Sequence, residues 1–284
     1  GSRAAAHRGA AEQRRTMDGG FLRKRAEPTS DNPYGIEQCA HLQVTATWSV
    51  QGYSRAGRRT GFRVPELKLL LDCGMPCEAK SEHVLITHCH QDHTLGLPLA
   101  CSSRRKTVAV ANSRCMDLLQ PFMTAMQGLS DGDVEVGCDY ITANPGDTLN
   151  LRGGKLVVEV LECFHRTQCN AYGLCEKSSK LRPEYAQLPG HEIGRLRRSG
   201  VSVTEDTLHH RLLFCGDTTG EFFATHGERA LRYDVIMIEC THSLADERSV
   251  SAAAQSGHMH IGELRPVVEA HPSTTFIVMH HSVK

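Results

Sequence analysis

The pattern of apolar and polar positions changes character at about residue 34. Before it, Gly1 to Pro33 is rich in Ala, Arg and Gly and has no sustained hydrophobic period. A disordered segment is expected over residues 1–33, since such a stretch cannot bury enough apolar surface to offset its ordering entropy. Beyond it, short apolar runs recur between turn signals. His41–Thr47, Leu67–Asp72, Val84–Thr87 and Thr107–Ala111 read as strands, the second closing on the turn Cys73-Gly74. Arg114–Gln127 carries a helical period. Leu156–Leu161, Ala171–Cys175, Leu212–Cys215 and Val235–Glu239 continue the series of strands, His260–Ala270 reads as a helix, and Thr274–Met279 as a last strand. Short strands with helices interspersed, and polar candidates just past strand ends, indicate a layered α/β domain over residues 34–284.

Composition narrows the function classes. Lys plus Arg and Asp plus Glu both number 32, so the chain as a whole exerts no attraction on a polyanion. Any nucleic-acid binding must come from local basic patches. Arg104-Arg105-Lys106 is one such spot, and Lys177, Lys180, Arg182, Arg195, Arg197 and Arg198 form another, the last three on an expected helix. The same residues also read as a solvated face. No apolar run approaches the roughly 20 residues of a membrane span. The 12 cysteines are scattered, several lie inside apolar runs, and no signal-peptide core precedes them. They read as free thiols in a reducing compartment, which points to an intracellular, cytoplasmic or nuclear protein. The Arg-rich, acid-poor start also fits a weak organelle-targeting segment.

The chemistry concentrates in Leu85-Ile86-Thr87-His88-Cys89-His90-Gln91-Asp92-His93, followed by the turn Gly96-Leu97-Pro98. Three imidazoles and a carboxylate within six residues of an apolar strand need hydrogen-bond partners or a metal. His88 and His90 can converge on one ion while Asp92 and His93 turn toward a second. Neutral imidazole and carboxylate are donors that zinc takes in catalytic sites.

This HxHxDH segment resembles the metal-binding signature of the metallo-β-lactamase superfamily, and further stretches fit that family in order. Asp72, ending the run Leu69-Leu70-Leu71, resembles its first acidic motif. His165 in Cys163-Phe164-His165, Asp217 in Cys215-Gly216-Asp217-Thr218 and His280 after Phe276-Ile277-Val278-Met279 resemble its later ligands. The resemblance implies an αββα four-layer sandwich with two zinc ions, manganese being an alternative. It implies His88, His90 and His165 on one ion, Asp92, His93 and His280 on the other, and Asp217 between them. His281 competes with His280 for the last position; His280 is preferred because Ser282 stands two residues on, as in the family.

Other stretches resemble ribonuclease Z, in particular its short plant-type form. They include Asn170-Ala171-Tyr172-Gly173, Leu181-Arg182-Pro183-Glu184-Tyr185, Pro189-Gly190-His191-Glu192-Ile193, Ile238-Glu239-Cys240-Thr241 and Gly257-His258-Met259-His260. Ile238 and Cys240 depart from the family's His-Glu-Ala-Thr element. The resemblance implies an endoribonuclease that removes the 3′ trailer of precursor tRNA, with Asp92 in the catalytic site. A metal-bridged hydroxide would attack phosphorus, and His258, oriented by Glu239, would protonate the leaving oxygen; His260 competes for that role. It also implies a homodimer. Residues 173–211 would be a reduced form of the family's tRNA-clamping arm, with Lys180, Arg182, Arg195, Arg197 and Arg198 as its phosphate contacts, and a further helix would follow His280. Two other readings stay open on the residues alone: hydrolysis of a smaller ester such as a cyclic nucleotide or thioester, and a catalytically poor binding relative.

Overall fold

The computed structural model describes residues 40–77, 80–101, 107–129, 137–244 and 247–282. The expected N-terminal disordered segment and the Arg104-Arg105-Lys106 patch lie outside them.

Two sheets stack face to face. The first holds β1 (Ala40–Gln43), β2 (Ser49–Arg55), β3 (Arg59–Val64), β4 (Leu69–Leu71), β5 (His83–Leu85), β6 (Val108–Ala111) and β7 (Asp139–Thr142) in that spatial order. The second holds β8 (Thr148–Leu151), β9 (Leu156–Cys163), β10 (Cys169–Leu181), β11 (Thr204–Cys215), β12 (Val235–Glu239) and β13 (Thr275–Met279), also in chain order across the sheet. Each sheet is antiparallel on its N-terminal side and parallel on its C-terminal side. The switch falls at β4 in the first and at β11 in the second.

The helices are α1 (Gln91–Thr94), α2 (Leu97–Ala100), α3 (Ser113–Leu129), α4 (Gly190–Arg198), α5 (Glu221–Ala230), α6 (Glu247–Ser256) and α7 (Ile261–Ala270). Among the described residues no helix is long and apolar enough to cross a membrane.

Three apolar clusters follow from strand alternation, which sends successive side chains to opposite faces. Phe62, Leu69, Leu71, Leu85 and Val110 of the first sheet meet Val158, Tyr172, Leu174, Phe214 and Met237 of the second between the sheets. The opposite faces of the parallel strands are covered by helices. Val84, Ile86 and Ala111 pack with Leu97, Met116 and Leu119, and Leu213, Ile236 and Ile238 pack with Phe222, Ala230 and Leu264. The result is the expected α/β/β/α sandwich. Burying side chains of this size is worth about 1.5–3 kcal/mol each.

Several element boundaries differ from the sequence expectation, each for a local reason. The strand expected over His41–Thr47 stops at Gln43 because the Thr45 hydroxyl accepts the backbone N–H groups of Thr47 and Trp48 and turns the chain. The next hairpin, β2 and β3, has polar and Gly positions in place of an apolar alternation. The strands expected at Ala171–Cys175 and Leu212–Cys215 run on to 13 and 12 residues. Their outer parts, such as Glu176-Lys177-Ser178-Ser179-Lys180, carry no apolar period, yet the ladder continues to Leu181 opposite Thr204. Residues 173–211 therefore form a long β-hairpin with α4 between its strands.

Candidate metal centre

The site is built at the carboxyl ends of the parallel strands, where side chains from both sheets meet. In the first sheet, Asp72 leaves β4 in a left-handed conformation (φ 56°). Its carboxylate accepts the Thr87 N–H at 2.8 Å, the Thr87 hydroxyl at 2.9 Å and His93 Nδ1–H at 2.7 Å. This buried carboxylate ties the chain after β5 to α1, so His88, His90, Asp92 and His93 are folded onto one spot. The loop is held close by Gly74, where a Cβ would lie 1.7 Å from the Asp92 carbonyl oxygen. Asp92 Oδ2 also accepts the Gly57 N–H from the β2–β3 turn at 2.9 Å.

The second sheet delivers its groups one per segment. His165 follows β9, and its Nδ1–H donates to the Gly257 carbonyl at 2.7 Å. Asp217 follows β11. Glu239 ends β12 fully buried, accepting the Thr218 N–H at 2.9 Å, the Thr241 N–H at 3.0 Å, the Thr241 hydroxyl at 2.5 Å and His258 Nδ1–H at 2.7 Å. His280 leaves β13 at φ 61°. Left-handed backbone on a non-glycine residue is costly and persists where surrounding contacts over-determine it. Here it occurs at Asp72 and at His280, one in each half of the site.

These groups converge in two clusters that share an edge. Donor atoms of His88, His90, His165 and Asp217 lie within 4.8 Å of one another, and so do those of Asp92, His93 and His280. His88 Nε2 is 3.0 Å from His90 Nδ1, and His165 Nε2 is 3.4 Å from the same atom. His280 Nε2 is 3.2 Å from Asp92 Oδ2 and 3.3 Å from His93 Nε2. Asp217 lies between, with Oδ2 3.5 Å from His88 Nε2 and Oδ1 3.6 Å from His93 Nε2. Burial favours the neutral form of Asp217, but His280, His93, His88 and His258 hold its pKa well below the usual carboxylate range. Burial likewise opposes charge on His93, yet Asp217, Asp72 and Asp92 push it up to about 9. At His88 burial dominates and keeps the imidazole neutral.

The chemistry of this donor set fits a cation. His93 and His165 direct Nδ1–H at the Asp72 carboxylate and the Gly257 carbonyl, so in the neutral form that binds a metal each offers its Nε2 lone pair to the cluster. A cation placed among these nitrogens and carboxylates, which lie 3.2–3.6 Å apart, would take their lone pairs in place of the protons they otherwise share.

The structure places the competing histidines differently. His280 enters the cluster, while His281 Nδ1–H turns away to the Cys240 carbonyl at 3.1 Å. His258 forms a further group with Asp217 and His280, their donor atoms within 4.8 Å of one another; its Nδ1 is 3.8 Å from Asp217 Oδ2 and 2.7 Å from Glu239 Oε1. His260 is instead the N-cap of α7, accepting the Gly262 N–H at Nδ1 and bonding the Leu244 carbonyl through Nε2. Lys180, Arg195, Arg197 and Arg198 are exposed on the long hairpin and α4, whereas Arg182 is half-buried against Thr204 and Glu184. None of these five is part of the donor clusters.

Sequence reasoning passed over Thr87, Gly57 and the Gly257 carbonyl, whose residue types carry no signal, and it placed Thr241 in the Ile238-Glu239-Cys240-Thr241 element without its partners. A separate group, Glu159, Cys175 and His210, also brings three donor atoms together. Its carboxylate is already engaged by the Tyr233 hydroxyl at 2.9 Å, with Arg229 and Arg232 at 3.7 and 4.0 Å, so it reads as a satisfied polar tie. The described cysteines are all free thiols.

Such a centre, set on two stacked sheets, defines the chain as a metallohydrolase-type protein, and comparison with known proteins agrees. Residues 60–281 match the family model described as the β-lactamase superfamily domain. The chloroplastic tRNase Z TRZ2 of Arabidopsis thaliana is 30% identical over 247 residues, covering 83% of this chain and 68% of that protein. The tRNase Z TRZ1 of the same plant is 28% identical over 260 residues, covering 88% and 90%. In fold, the chain is similar to the short form of human tRNase Z, with a TM-score of 0.52, 16% identity and coverage of 82% and 91%. The metallo-β-lactamase fold protein YhfI of Bacillus subtilis gives 0.53, 14%, 83% and 86%. The chain belongs to the β-lactamase superfamily and, within it, to the tRNase Z family.

Proposed function

We propose that the chain is a metal-dependent endoribonuclease that removes the 3′ trailer of precursor tRNA. The observation that carries it is the convergence of His88, His90, His165 and Asp217 in one group and Asp92, His93 and His280 in another, the donor atoms of each within 4.8 Å of one another, in a chain of the tRNase Z family. His88, His90 and His165 would hold one ion, Asp92, His93 and His280 a second, with Asp217 between them. Imidazole nitrogen and carboxylate oxygen suit zinc, and manganese is the alternative. When bound, the metal supplies positive charge to the phosphate and activates water.

The remaining steps belong to the chain's own groups. His258 is the proton donor to the leaving 3′ oxygen. Burial works against its charge, but the hydrogen bond and the charge of Glu239 outweigh it and raise its pKa above the ordinary imidazole value, which keeps the acid form available near neutral pH. Glu239 cannot turn away, since three other donors also hold it.

The basic hairpin would grip the substrate far from the cut. The 13 residues of β10 start at the site and end at Leu181, a span of about 40 Å at roughly 3.3 Å per residue. Lys180, Arg182, Arg195, Arg197 and Arg198 would meet phosphates there, in a homodimer if one subunit's hairpin serves the other's site. Free thiols support a reducing intracellular compartment.

The test is incubation of a precursor tRNA carrying a 3′ trailer with the protein in zinc or manganese, beside an Asp92→Ala control. A single cut at the trailer junction, absent in the control, is expected. No cut, with bis(p-nitrophenyl) phosphate still hydrolysed, would replace the tRNA reading with hydrolysis of a smaller ester.

A further inference from the structure

Asp72 and Glu239 repeat one arrangement in the two halves of the site. Each ends or follows a parallel strand, is buried, and accepts one threonine twice. Thr87 donates its N–H to Asp72 Oδ1 at 2.8 Å and its hydroxyl to Oδ2 at 2.9 Å. Thr241 donates its N–H and hydroxyl to Glu239 Oε2 at 3.0 and 2.5 Å. Each carboxylate also takes an imidazole proton directly, from His93 Nδ1 at 2.7 Å and from His258 Nδ1 at 2.7 Å. In both halves the threonine oxygen then touches a second imidazole. Thr87 Oγ1 is 3.0 Å from His88 Nδ1, and Thr241 Oγ1 is 2.9 Å from His280 Nδ1.

A proton count determines the direction of these contacts. A hydroxyl has one proton, and each of these carboxylates faces a backbone N–H and an imidazole nitrogen besides the hydroxyl, so it serves as the acceptor. With that proton committed to the carboxylate, the hydroxyl oxygen must accept from the imidazole. The His280 carbonyl, 3.0 Å from the Thr241 hydroxyl, is the rival acceptor, but the shorter contact to the carboxylate is charge-assisted and stronger. Near His88, the Cys169 thiol at 3.6 Å from Nδ1 is a weak partner by comparison.

We infer that Thr87 and Thr241 are paired positioning residues, each relaying a buried carboxylate to one imidazole and fixing His88 and His280 as Nδ1–H tautomers with Nε2 facing the cluster. In the second half the same carboxylate, Glu239, thereby orients both His280 and His258. The consequence for metal binding rests on the metal-centre reading above; the tautomer assignment does not.

The test therefore begins with metal-free protein carrying ¹⁵N-histidine, in long-range ¹H–¹⁵N correlation spectra above the ordinary imidazole range. Wild-type protein, Thr87→Val, Thr241→Val and the two serine variants are compared. Nδ1–H tautomers are expected at His88 and His280 in wild type. The first should be lost only in Thr87→Val and the second only in Thr241→Val, with serine restoring each. His93 and His258, bound directly by carboxylates, should keep Nδ1–H in every variant. An Nε2–H tautomer in wild type, or Nδ1–H persisting in both valine variants, would overturn the assignment.

Competition for zinc with a chromophoric chelator follows. The valine variants should lose about 10–100-fold in affinity, the range for removing a partner that orients a ligand, and the serine variants should stay near wild type. Equal affinity in valine and wild-type proteins would overturn the positioning role. If wild-type protein took up no zinc while the tautomers followed the pattern, the assignment would stand and the metal-centre reading alone would fall.

Discussion

In the first sheet, four side chains of the site, His88, His90, Asp92 and His93, come from six consecutive residues. In the second, His165, Asp217, Glu239, His258 and His280 come from five separate segments spread over more than a hundred residues. The first half is a local device in which one loop and a single turn of helix wrap around Asp72. The second half exists only when β9, β11, β12 and β13 stand in register, because each strand end places one group. Yet the two halves reach the same internal chemistry, a buried carboxylate holding one imidazole directly and another through a threonine. Geometry that a short loop can enforce by itself has to be supplied, on the other side, by the sheet.

The comparison can be broken most forcefully at the residues where the halves touch. Asp92→Ala from the local half and Asp217→Ala from the dispersed half should each reduce cleavage by about 10³-fold or more, since several kcal/mol of charge stabilisation disappear with the metal. Metal analysis should show reduced occupancy in both. Full metal content in either variant would mean that this half does not hold the ion.

The next effect separates proton donation from metal binding. His258→Ala should lower kcat by about 10²–10⁴-fold, the usual contribution of a general acid, with metal content unchanged. Loss of metal alongside would show that His258 is a ligand. A pH profile sharpens the point. His258 acts in its protonated form, so kcat should fall as pH rises through its raised pKa. Glu239→Gln removes the charge that raises it, and the alkaline limb should move to lower pH. An unmoved limb would assign that limb to another group.

A smaller effect is expected at the hairpin. Replacing Arg195, Arg197 and Arg198 together with Ala should raise KM for precursor tRNA and flatten its salt dependence, by about one unit of log–log slope for each phosphate no longer neutralised. Turnover of bis(p-nitrophenyl) phosphate should not change. An unchanged KM and slope would return α4 to the role of a solvated helix. The smallest effect is structural. The buried Tyr172 hydroxyl donates to the Ile86 carbonyl at 2.7 Å and accepts from Asn170 Nδ2 at 3.1 Å, linking the second sheet to the first. Tyr172→Phe leaves both groups without this partner and should cost about 1–3 kcal/mol, read as a melting temperature lower by a few degrees.

The difference between the halves also explains which site residues are legible in the amino-acid sequence. The His88–His93 cluster is legible because four donor side chains within six residues can converge, and Asp72 then holds them together. His165, Asp217 and His280 are legible only through their order along the chain, each being ordinary in its own neighbourhood. His280 and His281 are adjacent and chemically identical, so the choice between them waits for the left-handed turn that aims His280 inward and leaves His281 on the Cys240 carbonyl. The long hairpin is silent in the sequence for a related reason. Its outer strands are polar on both faces, so backbone pairing and the Lys177–Asp206 ion pair at 2.7 Å carry it without a hydrophobic signature.

What the sequence by itself determined was the layered class of the fold, through apolar runs such as Val235–Glu239 that read as buried strands, and the donor chemistry, through His88 to His93. Side-chain type and short-range spacing are properties of the chain, so they can be read from it. The tertiary structure alone decided which nitrogen of each imidazole faces inward, which histidine caps a helix and which stands at the site, and which imidazoles Thr87 and Thr241 touch. These depend on hydrogen-bond partners brought together from distant segments by the register of two sheets, and a partner that arrives from elsewhere leaves no trace in the local sequence.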